Sequence, residues 1–228
     1  MWLLNSSIGR KLIMSISGIF LILFLLFHMS MNVAAVFSEE AYNTICEFLG
    51  ANWYAVVGTL ILAAGFIIHI IYGLWLTLQN RKARGNDRYA VNATPKGVEW
   101  SSQNMFVLGI VILGFIVLHL SQFWYKMMFA ELTGNVSVTL GDTFVSPADG
   151  AAFIKYYFSN IVFVILYLIW YVAIWFHLTH GFWSAIQTIG WNNRIWMNRW
   201  KCISNIFATI IFLGFAIVTT TFYIKSLA

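Results

Sequence analysis

Five stretches of this chain run for more than twenty residues without one Asp, Glu, Lys or Arg: between Lys11 and Glu39, Glu47 and Arg81, Glu99 and Lys126, Lys155 and Arg194, and Lys201 and Lys225. A helix needs roughly 20 apolar residues to cross the hydrocarbon core of a bilayer. In lipid, only helices and closed barrels satisfy every backbone polar group. The runs are continuously apolar rather than alternating, so they read as helices, with spans predicted at about 12–37, 53–79, 103–126, 156–187 and 202–224. Composition agrees: the chain is 61% hydrophobic and 9% charged, where a soluble domain carries about 25% charged residues. The expectation is an all-α membrane protein, one transmembrane domain over 1–228 with no internal linker. The first run follows basic residues as a signal peptide would, but it is too long for a signal h-region, lacks a small-residue cleavage site and contains His28. It is expected to be a retained span.

The net charge of +5 is a statement about topology, with no nucleic-acid partner implied. Five alternating spans put Arg10, Lys11, Arg81, Lys82, Arg84, Arg88, Lys96, Arg194, Arg199 and Lys201 on one side, and Lys126, Lys155 and Lys225 on the other. The basic side is expected to be cytoplasmic by the positive-inside rule, which places the N-terminus inside and the C-terminus on the outer (periplasmic) side. Six of the eight acids fall on the outer side (Glu39, Glu40, Glu47, Glu131, Asp142 and Asp149). Cys46 and Cys202 lie near opposite faces by this topology and read as free thiols. The polar, turn-rich outer segment Thr133–Pro147 predicts a short hairpin or cover.

All five histidines fall inside the apolar runs. An ionisable side chain at membrane depth marks a functional site by default. With alternating directions, His28 and His119 fall in the outer half, and His69 and His177 in the inner half. Offsets of three to six residues at 1.5 Å each give two layers roughly 10–15 Å apart. Each layer then holds two histidines from different helices, which is what an iron ligated by two imidazoles needs. Depth pairs His28 with His119 and His69 with His177. His69-Ile70-Ile71-Tyr72-Gly73 and His177-Leu178-Thr179-His180-Gly181 both place a glycine four residues after the histidine, on the same helix face. Gly73 and Gly181 would let a flat macrocycle approach the backbone, although small residues serve plain helix packing as well. His180 is an alternative ligand to His177, a polar group beside the haem, or a proton-handling group near the inner surface.

The aromatic content is 18%. Trp2, Trp53, Trp100, Trp124, Trp191 and Trp196 sit near span ends, as an interfacial belt requires. Trp170, Trp175 and Trp183 lie deeper, where they could pack on porphyrin. The sequence contains no Cys-x-x-Cys-His attachment motif, so haem would be non-covalent, b-type.

The entry Ser6-Ser7-Ile8-Gly9-Arg10-Lys11, one histidine in each of the first four spans, His69-x-x-Tyr72-Gly73, and His177-x-x-x-Gly181 followed by Gly190 together resemble the cytochrome b membrane subunit of succinate dehydrogenase/fumarate reductase complexes, of the single-chain, five-helix, two-haem kind. The Tyr89–Asn104 loop resembles that of Bacteroides-type members. The resemblance covers essentially the whole chain. It implies two b haems with the same pairing that depth gives. Its implied partners are a flavoprotein that interconverts succinate and fumarate and an iron–sulfur subunit, with menaquinone as the substrate of this chain. A dimer of the whole complex is compatible with it. It implies that Glu47, just before the second span, accepts the quinone proton; the alternative is a solvated loop carboxylate. One departure stands out. Some two-haem members carry a glutamate two residues before the fourth ligand, where this chain has Trp175, and no Asp or Glu occupies a span interior. A proton path through a buried carboxylate is therefore not expected.

Two further readings compete. One is the cytochrome b anchor of another respiratory complex, of hydrogenase or formate dehydrogenase type, or an ascorbate-linked transmembrane cytochrome. The other is a transporter or scaffold whose histidines pack or relay protons. Five spans without an inverted repeat argue against a transporter.

Overall fold

A computed structural model of the chain describes residues 6–84 and 98–228. Trp2, Arg88, Lys96 and residues 89–97 of the loop lie outside the described residues, as does the side chain of Arg84. The fold is 83% helical, with five helices among the described residues long and apolar enough to cross a membrane. In chain order the elements are α1 (Ser7–Phe37), α2 (Glu39–Phe48), α3 (Trp53–Arg84), α4 (Trp100–His119), β1 (Val138–Leu140), β2 (Thr143–Val145), α5 (Gly150–Phe158), α6 (Ile161–Thr188) and α7 (Trp196–Leu227). The rod of α4 continues as a π-helix over Leu120–Phe129 and ends in a last α-turn, Ala130–Leu132.

Short polar side chains start several of these helices by taking up orphan backbone N–H groups. Ser6 accepts from Gly9 N at 3.0 Å, Ser38 from Ala41 N at 3.1 Å, Asp149 from Ala152 N at 3.1 Å and Asn160 from Val162 N at 2.9 Å. Ser38 stands in extended backbone (φ −153°), so α1 stops there and α2 starts with Glu39 and Glu40 against the positive end of its dipole. α6 ends where Gly190 takes φ +91°: Gly190 N bonds Gln187 O and Trp191 N bonds Ile186 O, a Schellman pair that needs a residue free of Cβ strain. The hairpin turns at Gly141 (φ +57°) and Asp142, with Thr139 opposite Phe144.

The helices run past the charge-free intervals. The expected spans at about 12–37, 53–79, 103–126 and 202–224 are found as Ser7–Phe37, Trp53–Arg84, Trp100–Leu132 and Trp196–Leu227. Charges mark where side chains leave hydrocarbon, while backbone hydrogen bonding continues through the interface on snorkelling stems. The fourth span starts later than expected, at Ile161 rather than 156. Residues 156–158 belong to the separate helix α5, and the Asn160 cap starts a new one. α2 is a ten-residue helix within the connection between the first two spans. The expected hairpin is present at Val138–Val145.

Five of the elements meet at one end of the bundle, the near end. Arg10 donates to Gln79 at 3.3 Å and lies over Trp75, Arg81 lies over Phe106, and Glu99 joins His180 and Lys201. The far end is closed by α2, the hairpin and α5. There Asn43 bonds Asp149 and Ala151 N, Lys155 pairs with Glu39, and Glu131 accepts from Ala51 N at 2.7 Å. α1 packs along α3, α6 and α7, and α6 packs along α4 and α7. α3 leans on α1 and barely touches α4, and none of its most apolar stretch is buried within the protein. Seen end-on, α3, α1, α6 and α4 stand at the corners of a quadrilateral. The diagonal partners, α1 with α4 and α3 with α6, make no comparable approach among the described residues.

Candidate functional site

Both diagonals are crossed by histidines. His28 on α1 meets His119 on α4 with ring centres 5.8 Å apart. His69 on α3 meets His177 on α6 at 6.2 Å. Helix bundles build metal and cofactor sites from side chains of facing helices in this way. A metal bonded to both imidazoles at about 2.0–2.1 Å, with each ring centre roughly 1 Å beyond its nitrogen, sets the centres roughly 6 Å apart. Both observed separations lie near that distance. Among the described residues, no three or more His, Cys, Asp or Glu gather into a metal cage. Each pair brings two imidazoles together from two helices.

The second ring nitrogen of two of these histidines is engaged. Ser17 on α1 donates its proton to Met14 O at 3.0 Å, so its oxygen accepts from His69 Nδ1, 3.3 Å away. Tyr167 on α6 donates to Gln122 Oε1 at 2.7 Å, so its oxygen accepts from His119 Nδ1 at 3.4 Å. In both cases Nδ1 carries the proton, and Nε2 is the free donor for a metal. His177 Nδ1 and Trp170 Nε1 are buried without a hydrogen-bond partner. A buried polar atom left unpaired costs about 1–3 kcal/mol, and such atoms concentrate where a bound group or a function accounts for them. The pairing of the histidines and the free Nε2 of His69 and His119 are the features that fit a metal held by two imidazoles in each layer; ligation through Nε2 would leave His177 Nδ1 and Trp170 Nε1 unpaired.

Aromatic rings wall the far pair. Phe24 stacks on His28 at 5.4 Å, Phe215 lies 5.8 Å from it, and Phe123 and Trp170 lie 5.1 and 5.5 Å from His119. Of the deeper tryptophans, only Trp170 is at a histidine of the pairs. Trp175 turns to α7 and donates to Thr209 Oγ1 at 3.0 Å, and Trp183 donates to Glu99 at 3.2 Å. Beside the near pair, a Cβ at Gly18 would touch His69 Cε1 at 3.4 Å. Gly73 and Gly181 face methionines instead, Met14 at 3.4 Å and Met105 at 3.9 Å from a built Cβ. Both are ordinary van der Waals contacts, so the helix packing has room for a methyl at either position.

His180 is drawn to the near end. Its Nδ1 lies 3.3 Å from Glu99 Oε2, and Lys201 Nζ is 3.0 Å from Glu99 Oε1 and 4.7 Å above the Trp183 ring. Burial pushes the Glu99 carboxyl up, but hydrogen bonds from Lys201 and His180, the Lys201 charge and the Trp183 N–H outweigh it and hold the group below its ordinary value. Glu99 thus ties the start of α4 to α6 and α7. Glu47 is exposed on α2, in a shallow surface groove with Glu40, Thr44 and Asp149, and no contact among the described residues joins it to a histidine. Cys46 and Cys202 are both free. Burial between Tyr42 and Gly150 pushes the Cys46 thiol up to about 11.

Sequence reasoning missed Ser17, Gln122, Tyr167 and Glu99. The available signal was a polar residue inside an apolar run for the first three. For Glu99 it was an acid standing among the basic residues of the near end. Comparison of the chain with protein-family models, with curated proteins and with solved structures finds no match.

Proposed function

We propose that the chain is the two-haem cytochrome b membrane subunit of a succinate:menaquinone oxidoreductase or menaquinol:fumarate reductase. The observation that supports this reading best is the pair of histidine diagonals: four helices, one imidazole each, meeting two by two at the spacing of a shared metal. The near end is assigned to the cytoplasm, because ten of the thirteen basic residues lie in the segments of that side. Arg10, Lys11, Arg81 and Lys82 then offer a docking face to an iron–sulfur subunit, which receives electrons from or returns them to a dicarboxylate-handling flavoprotein. Haem b supplies a one-electron carrier in each layer.

The chain's own residues have separable tasks in this reading. His69 and His177 would hold the near group, and His28 and His119 the far one. Ser17 and Tyr167 keep Nδ1 of His69 and His119 protonated, which leaves Nε2 of each as the atom that would bind a metal. Phe24, Phe123, Trp170 and Phe215 exclude water from the far pair. Glu47 lies in the element that caps the far end, and there it exchanges the quinone proton with solvent.

Purified complex is reduced with dithionite and mixed with a soluble menaquinone analogue, and the haem absorbance is followed. The expected outcome is re-oxidation of the haems by the quinone, together with co-purification of a flavoprotein. A haem-loaded chain that no quinone oxidises and that brings no flavoprotein refutes the assignment and leaves another respiratory anchor.

A further inference from the structure

The π-helix begins at the residue after His119 and runs for ten residues, Leu120–Phe129. π-Turns are rare, are mostly single, and occur at functional sites more often than elsewhere. Gln122 belongs to this π segment and is 5% exposed, near the end of the uncharged run. Its amide oxygen takes the Tyr167 proton at 2.7 Å, and Tyr167 is itself 2% exposed. The same phenol oxygen lies 3.4 Å from His119 Nδ1. The resulting chain runs in one direction: His119 Nδ1–H to the Tyr167 oxygen, and Tyr167 O–H to Gln122.

We infer that Tyr167 and Gln122 are positioning residues for His119: Gln122 commits the phenol proton, which leaves the phenol oxygen free only to accept, and this locks His119 as the Nδ1–H tautomer with Nε2 presented across the diagonal. This inference rests on the two-haem reading above and deepens it. The geometry favours it over plain packing because the phenol–amide bond is short and buried, and because Ser17 does the same for His69 with a different side chain. A hydrogen-bond acceptor behind a ligating imidazole raises its basicity and favours the oxidised metal. Its loss therefore raises the reduction potential of the far haem and leaves the near haem where it was.

The test compares full-length, purified wild type with Tyr167→Phe and with the double variant Tyr167→Phe/Gln122→Leu. Haem per chain and both midpoint potentials are measured. The double variant removes both partners of the buried pair, so no lone amide is left to destabilise the fold. Ser17→Ala serves to tell the two haems apart, since it shifts the other one. The expected result is two haems in every protein, with one potential raised in both Tyr167 variants by about tenfold in the reduction equilibrium, about 59 mV for one electron. Two haems with unchanged potentials in both variants overturn the positioning role and leave the two-haem reading standing. A folded wild type that binds no haem overturns both.

Discussion

Removing the four paired histidines singly and in twos should give a pattern that depends on the diagonals alone. His28 and His119 are 5.8 Å apart, and His69 and His177 6.2 Å. Side chains that share a partner couple, whereas sites more than about 7–10 Å apart with no shared partner add independently. Each single His→Ala change should therefore lower haem from two per chain to one. His28→Ala/His119→Ala should still hold one, because the second removal acts on a site already lost. His28→Ala/His69→Ala should hold none. The magnitudes are integers, so the assay is a reduced-pyridine spectrum per mole of polypeptide on detergent-purified protein. Elution as a single size-exclusion peak shows that each variant is folded. The helices of each diagonal scarcely touch, so trimming one ring loses the contacts of that imidazole, such as Phe24 and Phe215 at His28, but breaks no helix–helix seam, and the fold should survive. If His28→Ala/His119→Ala lost both haems, or His28→Ala/His69→Ala retained one, the diagonal pairing would be wrong.

Other outcomes follow from the same structure. Ser204, 0% exposed, donates to Leu178 O at 3.0 Å and Thr179 O at 2.9 Å across the α6–α7 seam; Ser204→Ala should cost about 0.6–1.7 kcal/mol, the range of one interhelical bond in lipid, read by unfolding in mixed micelles. Gly150→Ala drives a methyl into Cys46 Sγ and the Tyr42 ring, and should destabilise the far-end cap by about 1–3 kcal/mol, visible as a lower Tm. At pH 8 a maleimide should label the exposed Cys202 and leave Cys46, whose pKa is about 11, untouched until the protein is denatured. Glu99 has its folded pKa depressed, so its contribution is fully present above the ordinary value of 4.5 and is lost as pH falls below 4.5 through the folded value. Glu99→Gln should cost about 0.2–1 kcal/mol at pH 7, and the difference from wild type should close under acid in paired thermal melts.

Spans and layers were legible because charge and depth are one-dimensional properties. The uncharged runs placed five helices, and counting residues from their ends put His28 level with His119 and His69 level with His177. Rotation about the helix axis was not legible. α4 is apolar on every side, so it carries no phase from which to read that Gln122 meets Tyr167, or that the winding becomes π after His119. Ser17 and Glu99 escaped for a related reason. Their partners lie far away in the chain, at separations of 52 residues to His69 and 81 to His180, and only packing brings them together. The helix α2 was hidden by its charges. Glu39, Glu40 and Glu47 ended the apolar run, and a surface helix of ten residues between two spans looks like a loop when lipid burial is the criterion. Gly73 and Gly181 share the His-x-x-x-Gly spacing, and each lies in ordinary contact distance of a methionine of the neighbouring helix, which the spacing alone did not reveal.

The most direct measurement is the haem content of the purified wild-type chain, from its reduced pyridine spectrum against polypeptide concentration. The account predicts two b-type haems per chain, one for each diagonal. A folded, monodisperse preparation with none would contradict it and leave the paired histidines as packing or proton-relay groups of a transporter or scaffold.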